Sequence, residues 1–318
     1  MSSTPTRPLH SKRLVVKTGA SYEIRFDPSS RLALSIGSNL SLWDIKSSTS
    51  LLRTRPFRHP SHANWSRDGH QLCSKGTSGE LVVLDAKRLA IVAKLQPNSA
   101  GEGCEAVFSP DGCRVLDGTW GGLLAVYDVK TSVRLQEVRF PECMLTSMVS
   151  SPSGVQAALV VKPKLAAKRG PGRQDEIWIV KWSATGVTLT MLKQKWELLD
   201  TVVFHSSETI LAVVHGDRPH PKAWLEIVDV SSGETLRARE CIRSHNGPAI
   251  SWSPDGSVIG VVEPDGFQFY AADDLHEIAS VPAKYASNLE FSPDGTWVAL
   301  SAWSGGRIRL TADVLRGA

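Results

Sequence analysis

Four acidic side chains, Glu23, Glu105, Asp200 and Glu290, stand two to four residues before or one residue before aromatic positions that recur along the chain. Carboxylates brought to one point would hold a metal ion or share proton transfer in hydrolase or lyase chemistry. They fall on short extended segments, where alternate residues face opposite sides, so the sequence leaves open which side each one takes. The plain alternative is solvated carboxylates, or ion pairs with a neighbouring segment. Other reagents do not appear in the pattern. There is no Gly-x-Ser-x-Gly elbow, no P-loop, and no nucleophile with a recognisable His and acid partner. His215, Asp217 and His220 have an i, i+2, i+5 spacing in a Pro-rich stretch that matches no standard metal site. They read as exposed polar residues, and neither a metal nor a cofactor is expected.

Residues suited to binding are more prominent than residues suited to catalysis. One polar stretch carries Lys162, Lys164, Lys168, Arg169 and Arg173 around Gly170-Pro171-Gly172. A second carries Arg218, His220 and Lys222 among prolines. Neighbouring basic loops would attract an acidic protein surface or an RNA backbone; the plain alternative is a solvated insertion. Trp120 and Trp303 each lie twelve residues after a recurrent aromatic position and just before a Gly-Gly pair. Exposed Trp anchors interfaces, although each Trp would equally serve to cover a strand edge. Tyr22 and Tyr285 precede strand-like runs near the two ends of the repeat array, where they would join Trp303 in an aromatic cluster.

These residues need a scaffold, and the repeats supply one. Phe108-Ser-Pro-Asp-Gly112 and Phe291-Ser-Pro-Asp-Gly295 are identical, and Trp252-Ser-Pro-Asp-Gly256 differs only in its aromatic. Weaker copies start at Phe26, Trp65, Ser150 and Phe204, so the seven anchors are spaced 39, 43, 42, 54, 48 and 39 residues apart. That period belongs to four-stranded propeller blades. In each copy an aromatic ends a strand, and Pro-Asp-Gly makes a tight turn. A third strand then ends in a hydrophobic–Asp pair, as at Trp43-Asp44, Leu84-Asp85, Tyr127-Asp128 and Val228-Asp229. The last repeat stops soon after Leu310 and lacks an outer strand, whereas Arg13–Lys17 is a strand-like run without a repeat. The expected fold is therefore all-β: a seven-bladed β-propeller of four-stranded antiparallel blades over residues 13–318, closed by the N-terminal strand after a tail at 1–12. Closure removes the exposed edge at the seam.

The Phe-Ser-Pro-Asp-Gly copies and Trp43-Asp44 resemble the WD40-repeat family over nearly the whole chain. Only one true Trp-Asp pair is present, and the Gly-His motif survives only as Ser244-His245-Asn246-Gly247. Blade stability must then come from packing rather than from that family's buried hydrogen-bond tetrad. The resemblance implies a rigid, non-catalytic scaffold or adaptor subunit of a larger complex, with the basic loops and the Trp turns on its top face. A propeller hydrolase or lyase with an acidic channel, and an RNA-binding subunit of a ribonucleoprotein, are the alternatives.

Composition fits a globular chain of 318 residues, 42% hydrophobic, with a net charge of +4 that is too small to imply nucleic acid alone. Five cysteines without metal-type spacing suit a reducing compartment, the cytoplasm or alternatively the nucleus. No apolar run reaches membrane-spanning length, and Met1–Arg13 has no signal-peptide core.

Overall fold

The computed structural model describes residues 15–95, 101–164, 174–216, 222–244 and 249–316. They form seven antiparallel sheets, six of them with four strands in sequence order. The first strands of successive sheets touch in a closed cycle, from Glu23–Phe26 through Pro60–Trp65, Val107–Phe108, Cys143–Ser150, Leu198–Phe204 and Ile250–Trp252 to Ala286–Phe291. This is the expected seven-bladed propeller, and every anchor residue ends the innermost strand of its blade.

The seventh sheet contains Ala286–Phe291, Trp297–Leu310 and Val15–Ser21. The middle run is longer than any other strand, but Thr311 N donates to Thr296 O at 2.9 Å. The same bond closes the second-to-third-strand hairpin in other blades, for example Ile45 to Arg31 and Ala272 to Ser257. The run therefore doubles back near Ser304–Gly306 and supplies two strands of blade 7. Val15–Ser21 pairs with its second half, Val16 opposite Ile308 and Lys17 opposite Arg307, and completes the blade from the other end of the chain.

The Ser-Pro-Asp-Gly turns are built alike. Ser109 Oγ donates to Asp111 Oδ1 at 2.5 Å and accepts the Arg114 N–H at 2.9 Å, while Asp111 Oδ1 accepts the Cys113 N–H at 3.0 Å. Ser66, Ser253 and Ser292 repeat the pattern with Asp68, Asp255 and Asp294. The turn glycines Gly69, Gly112, Gly256 and Gly295 sit at φ between 70° and 73°, where a side chain would be strained. The core lies between blades rather than inside them. Phe108, for instance, packs with Val83 and Leu95 of blade 2 and Tyr127 of its own blade. Burying each such aromatic contributes roughly 2–3 kcal/mol. A helical turn, Thr311–Leu315, follows the last strand and buries Val314 against blades 6 and 7.

Strand alternation defines two faces. Each innermost strand starts at the upper face and ends at the Pro-Asp-Gly turn on the lower face. The second-to-third-strand turns are consequently on the upper face, together with the segments that enter each blade.

Candidate functional site

Strand periodicity settles which innermost side chains reach the axis. The residues two before each anchor, such as Ile24, Ala63, Ala106 and Met148, are buried between blades. The residues one and three before the anchor point the other way, to the axis. Blades 7, 1, 2 and 3 put Glu290, Glu23, Arg25, His62 and Glu105 there. Blades 4 and 5 put Ser147, Val149, Thr201 and Val203 there.

The four acids named from sequence do not converge as a set. Asp200 lies one step above this register, in a bulge between Leu199 and Thr201. It is turned aside and clamped by Arg243, Nε to Oδ2 at 2.7 Å and Nη2 to Oδ1 at 2.8 Å. Glu23 is buried and tied to the Arg25 guanidinium and to His62 Nδ1, the latter at 3.2 Å. Only Glu105 and Glu290 line the axial cavity. Glu290 accepts Arg25 Nη1 at 2.9 Å and the Phe26 N–H at 2.9 Å, which joins blade 7 to blade 1. Glu105 accepts the Met148 N–H at 3.1 Å.

A network missed from sequence links blades 1 and 2 to the segment that enters blade 3, near the upper face. His62 lies between Glu23 and Glu102, with Nε2 3.4 Å from Glu102 Oε1. Burial alone would discourage its charge. Hydrogen bonds to Glu102 and Glu23, together with the field of Glu105, overcome that and push its pKa up to about 10. Glu23 is held below the ordinary carboxylate range: its burial is outweighed by Arg25 and His62. Glu102 follows Gly101 and lies outside the strands, so no repeat register pointed to it. The buried thiols offer no reactive alternative. Desolvation pushes Cys73, Cys104 and Cys241 above their ordinary value.

On the upper face Tyr22 and Trp303 come together at the seam. The Tyr22 and Trp303 rings lie 5.0 Å apart with a 30° tilt. The Tyr22 hydroxyl donates to Pro60 O in blade 2, which fixes one side of the pair. Tyr285, at φ 59°, accepts the Trp303 N–H with its carbonyl at 3.1 Å. Trp303 and Tyr285 remain 55% and 59% exposed. Trp120 occupies the turn of blade 3 equivalent to that of Trp303 in blade 7 and is 42% exposed. Two blades lie between the two turns on one side of the ring and three on the other, so Trp120 stands across the axis and does not join the cluster.

The basic residues divide. Lys164 reaches Gly121 O, beside Trp120, with Nζ at 3.4 Å. Lys162 is paired with Asp175 at 4.0 Å, and Lys222 with Glu240 at 3.1 Å. Lys168, Arg169, Arg173, Arg218 and His220 lie outside the described residues, as does Asp217. His215 faces Glu226 at 3.3 Å.

No family model matches the sequence, and no curated protein matches it. Solved structures do. Hydrazine synthase of Kuenenia stuttgartiensis aligns with a TM-score of 0.75 at 12% identity, covering 98% of this chain and 99% of that one. The β-propeller domain of Cps50 (Swd1) from Myceliophteria thermophila aligns with a TM-score of 0.72 at 13% identity, covering 92% and 98%. At such identities the likeness shows the propeller fold alone.

Proposed function

We propose that this chain is a WD40-type propeller that works as a non-catalytic binding platform and holds a macromolecular partner on its upper face. The observation that carries the reading is the seam cluster. The Tyr22 and Trp303 rings lie against each other at a tilt, Tyr285 is joined to Trp303 through the backbone, and large aromatic area is left open to solvent on a rigid ring. Aromatic side chains held by a scaffold are what interface hot spots are made of. Lys164 beside Trp120, with the basic stretches around Arg169 and Arg218, favours a partner with an acidic surface. Five free thiols suit the cytoplasm or the nucleus. Catalysis at the axis is the weaker reading, because Glu23 and Asp200 are already tied up by Arg25, His62 and Arg243.

Affinity capture from native lysate tests the reading with three baits: wild type, a Trp303→Ala/Tyr285→Ala variant, and a variant with Lys164, Lys168, Arg169 and Arg173 changed to Glu. Loss of a stoichiometric partner from either variant, with folding intact, is the expected result. A partner retained equally by all three baits would overturn it. Nuclease sensitivity and a steep salt dependence would reassign the partner to RNA.

A further inference from the structure

Beneath the Glu23–His62–Glu102 network the axis widens into a cavity of about 590 Å³ that opens among the lower-face turns, with Pro28, Pro110, Pro152 and Pro293 on its rim. The volume lies in the range of small-molecule sites. Its wall is unevenly charged. Blades 7, 1 and 3 contribute Glu290, Arg25 and Glu105, while blades 4 and 5 contribute the uncharged Ser147, Val149, Thr201 and Val203.

The charges are unequal. Around and just above the cavity, four carboxylates, Glu23, Glu102, Glu105 and Glu290, face two cations, Arg25 and His62. Arg25 is shared between Glu23 and Glu290, and His62 between Glu23 and Glu102. Glu105 has no ion-pair partner among the described residues. A single backbone N–H, that of Met148, reaches one of its oxygens. Arg25 and His62 feel the field of Glu105 without pairing with it, and a recess of this kind concentrates the negative charge that remains. Arg67 stands on the rim and donates to Ser153 O at 2.6 Å across the mouth. It is exposed, so solvent and salt screen its charge.

We propose that this lower cavity is a binding site for a small organic cation: an ammonium or amidinium head against Glu105 and an apolar body against Val149 and Val203. This site is independent of the upper-face reading, because no residue is common to both.

The test is a calorimetric titration of the full chain with hexylammonium and, separately, with hexanoate. Saturable hexylammonium binding is expected, about tenfold or more tighter than hexanoate. Glu105→Gln keeps an acceptor for the Met148 N–H while removing the charge, and should weaken hexylammonium by about tenfold. Val203→Phe fills the cavity from blade 5 without touching a charge and should abolish binding. Absence of saturable hexylammonium binding, hexanoate binding as tightly, or a Glu105→Gln variant that binds like wild type would each overturn the proposal. If Glu105→Gln did not fold, Val203→Phe and the comparison of the two ligands on wild type would still decide.

Discussion

The Lys75 ammonium lies 2.6 Å from Asp117 Oδ1, and both side chains are 1% exposed between blades 2 and 3. Lys75 also donates to Cys104 O at 3.2 Å and Gly118 O at 2.7 Å, so its three protons are all placed. Asp117 Oδ2 has no side-chain partner among the described residues, and burial pushes the Asp117 carboxyl above its ordinary value in spite of Lys75 and the Gly118 backbone. Such a pair is costly to bury and costlier to break. Lys75→Met alone or Asp117→Leu alone should destabilise by about 3–5 kcal/mol, because each leaves one charge alone in the core. The double variant should recover most of that loss. Denaturation midpoints of the three variants and wild type check the cycle; additive losses would show that the two side chains do not act as a pair.

Left-handed backbone recurs where the third strand turns into the fourth. Ser48, Leu89, Ser132, Gly233 and Leu275 have φ of 57°, 51°, 60°, 75° and 60°, each four residues after the end of the third strand. Only one of the five is glycine. Ser132 is half-buried and its side chain is small, so Ser132→Gly should relieve conformational strain with little loss of contact and stabilise by up to about 1 kcal/mol. Gly233→Ala should cost a comparable amount. Thermal midpoints read both; a destabilising Ser132→Gly would show that glycine's unfolded-state entropy outweighs the strain.

These turns show what the sequence could and could not carry. Blade number, anchor positions and ring closure were legible, because aromatic–Pro-Asp-Gly units impose a fixed turn and a fixed register. Left-handed residues such as Leu89 and Leu275 were not, because nothing in a leucine announces a positive φ. The axial acids were half legible. Glu105 and Glu290 follow simple alternation from Phe108 and Phe291, but the bulge that turns Asp200 towards Arg243 adds one residue that no periodicity reveals. The Tyr22–Trp303 contact needed only ring closure, which brings residues 281 positions apart in the sequence to one seam. Lys75–Asp117 was invisible, since a lone Lys on a strand ordinarily faces solvent.

Acid should unfold the chain through its turns. Asp44, Asp128 and Asp229 accept hydrogen bonds from hydroxyl and backbone N–H groups two or three residues on. Side-chain bonds to Ser231 and backbone bonds to Ser232 hold Asp229 down from 3.8 to about 2, and Asp44 and Asp128 are lowered for the same kind of reason. A folded pKa below the unfolded one gives stability that is fully present above 3.8 and lost as pH falls through the folded value. The thermal midpoint should therefore hold steady above that pH and drop towards pH 2. Asp229→Ala should lie below wild type at neutral pH and converge with it in acid. A gap of constant size down to pH 2 would mean that the carboxylate is not what matters.

His62 should give the opposite dependence. Its pKa is pushed up to about 10 from an ordinary 6.5: burial opposes the charge, but the Glu102 and Glu23 hydrogen bonds favour it more strongly. A group whose folded pKa is raised contributes stability that is fully present below its unfolded value and lost as pH rises through the folded one. Between pH 6.5 and about 10 the unfolded chain releases this proton while the folded chain keeps it, so stability should decline steadily across that window. In His62→Gln the decline should flatten, and the variant should be less stable than wild type below pH 6.5, where the full contribution is missing. Glu102→Gln removes one of the two carboxylates and should bring the His62 titration, followed by imidazole chemical shifts, to lower pH. A His62 that titrates near 6.5 in the folded protein would show that the network above the cavity holds no imidazolium.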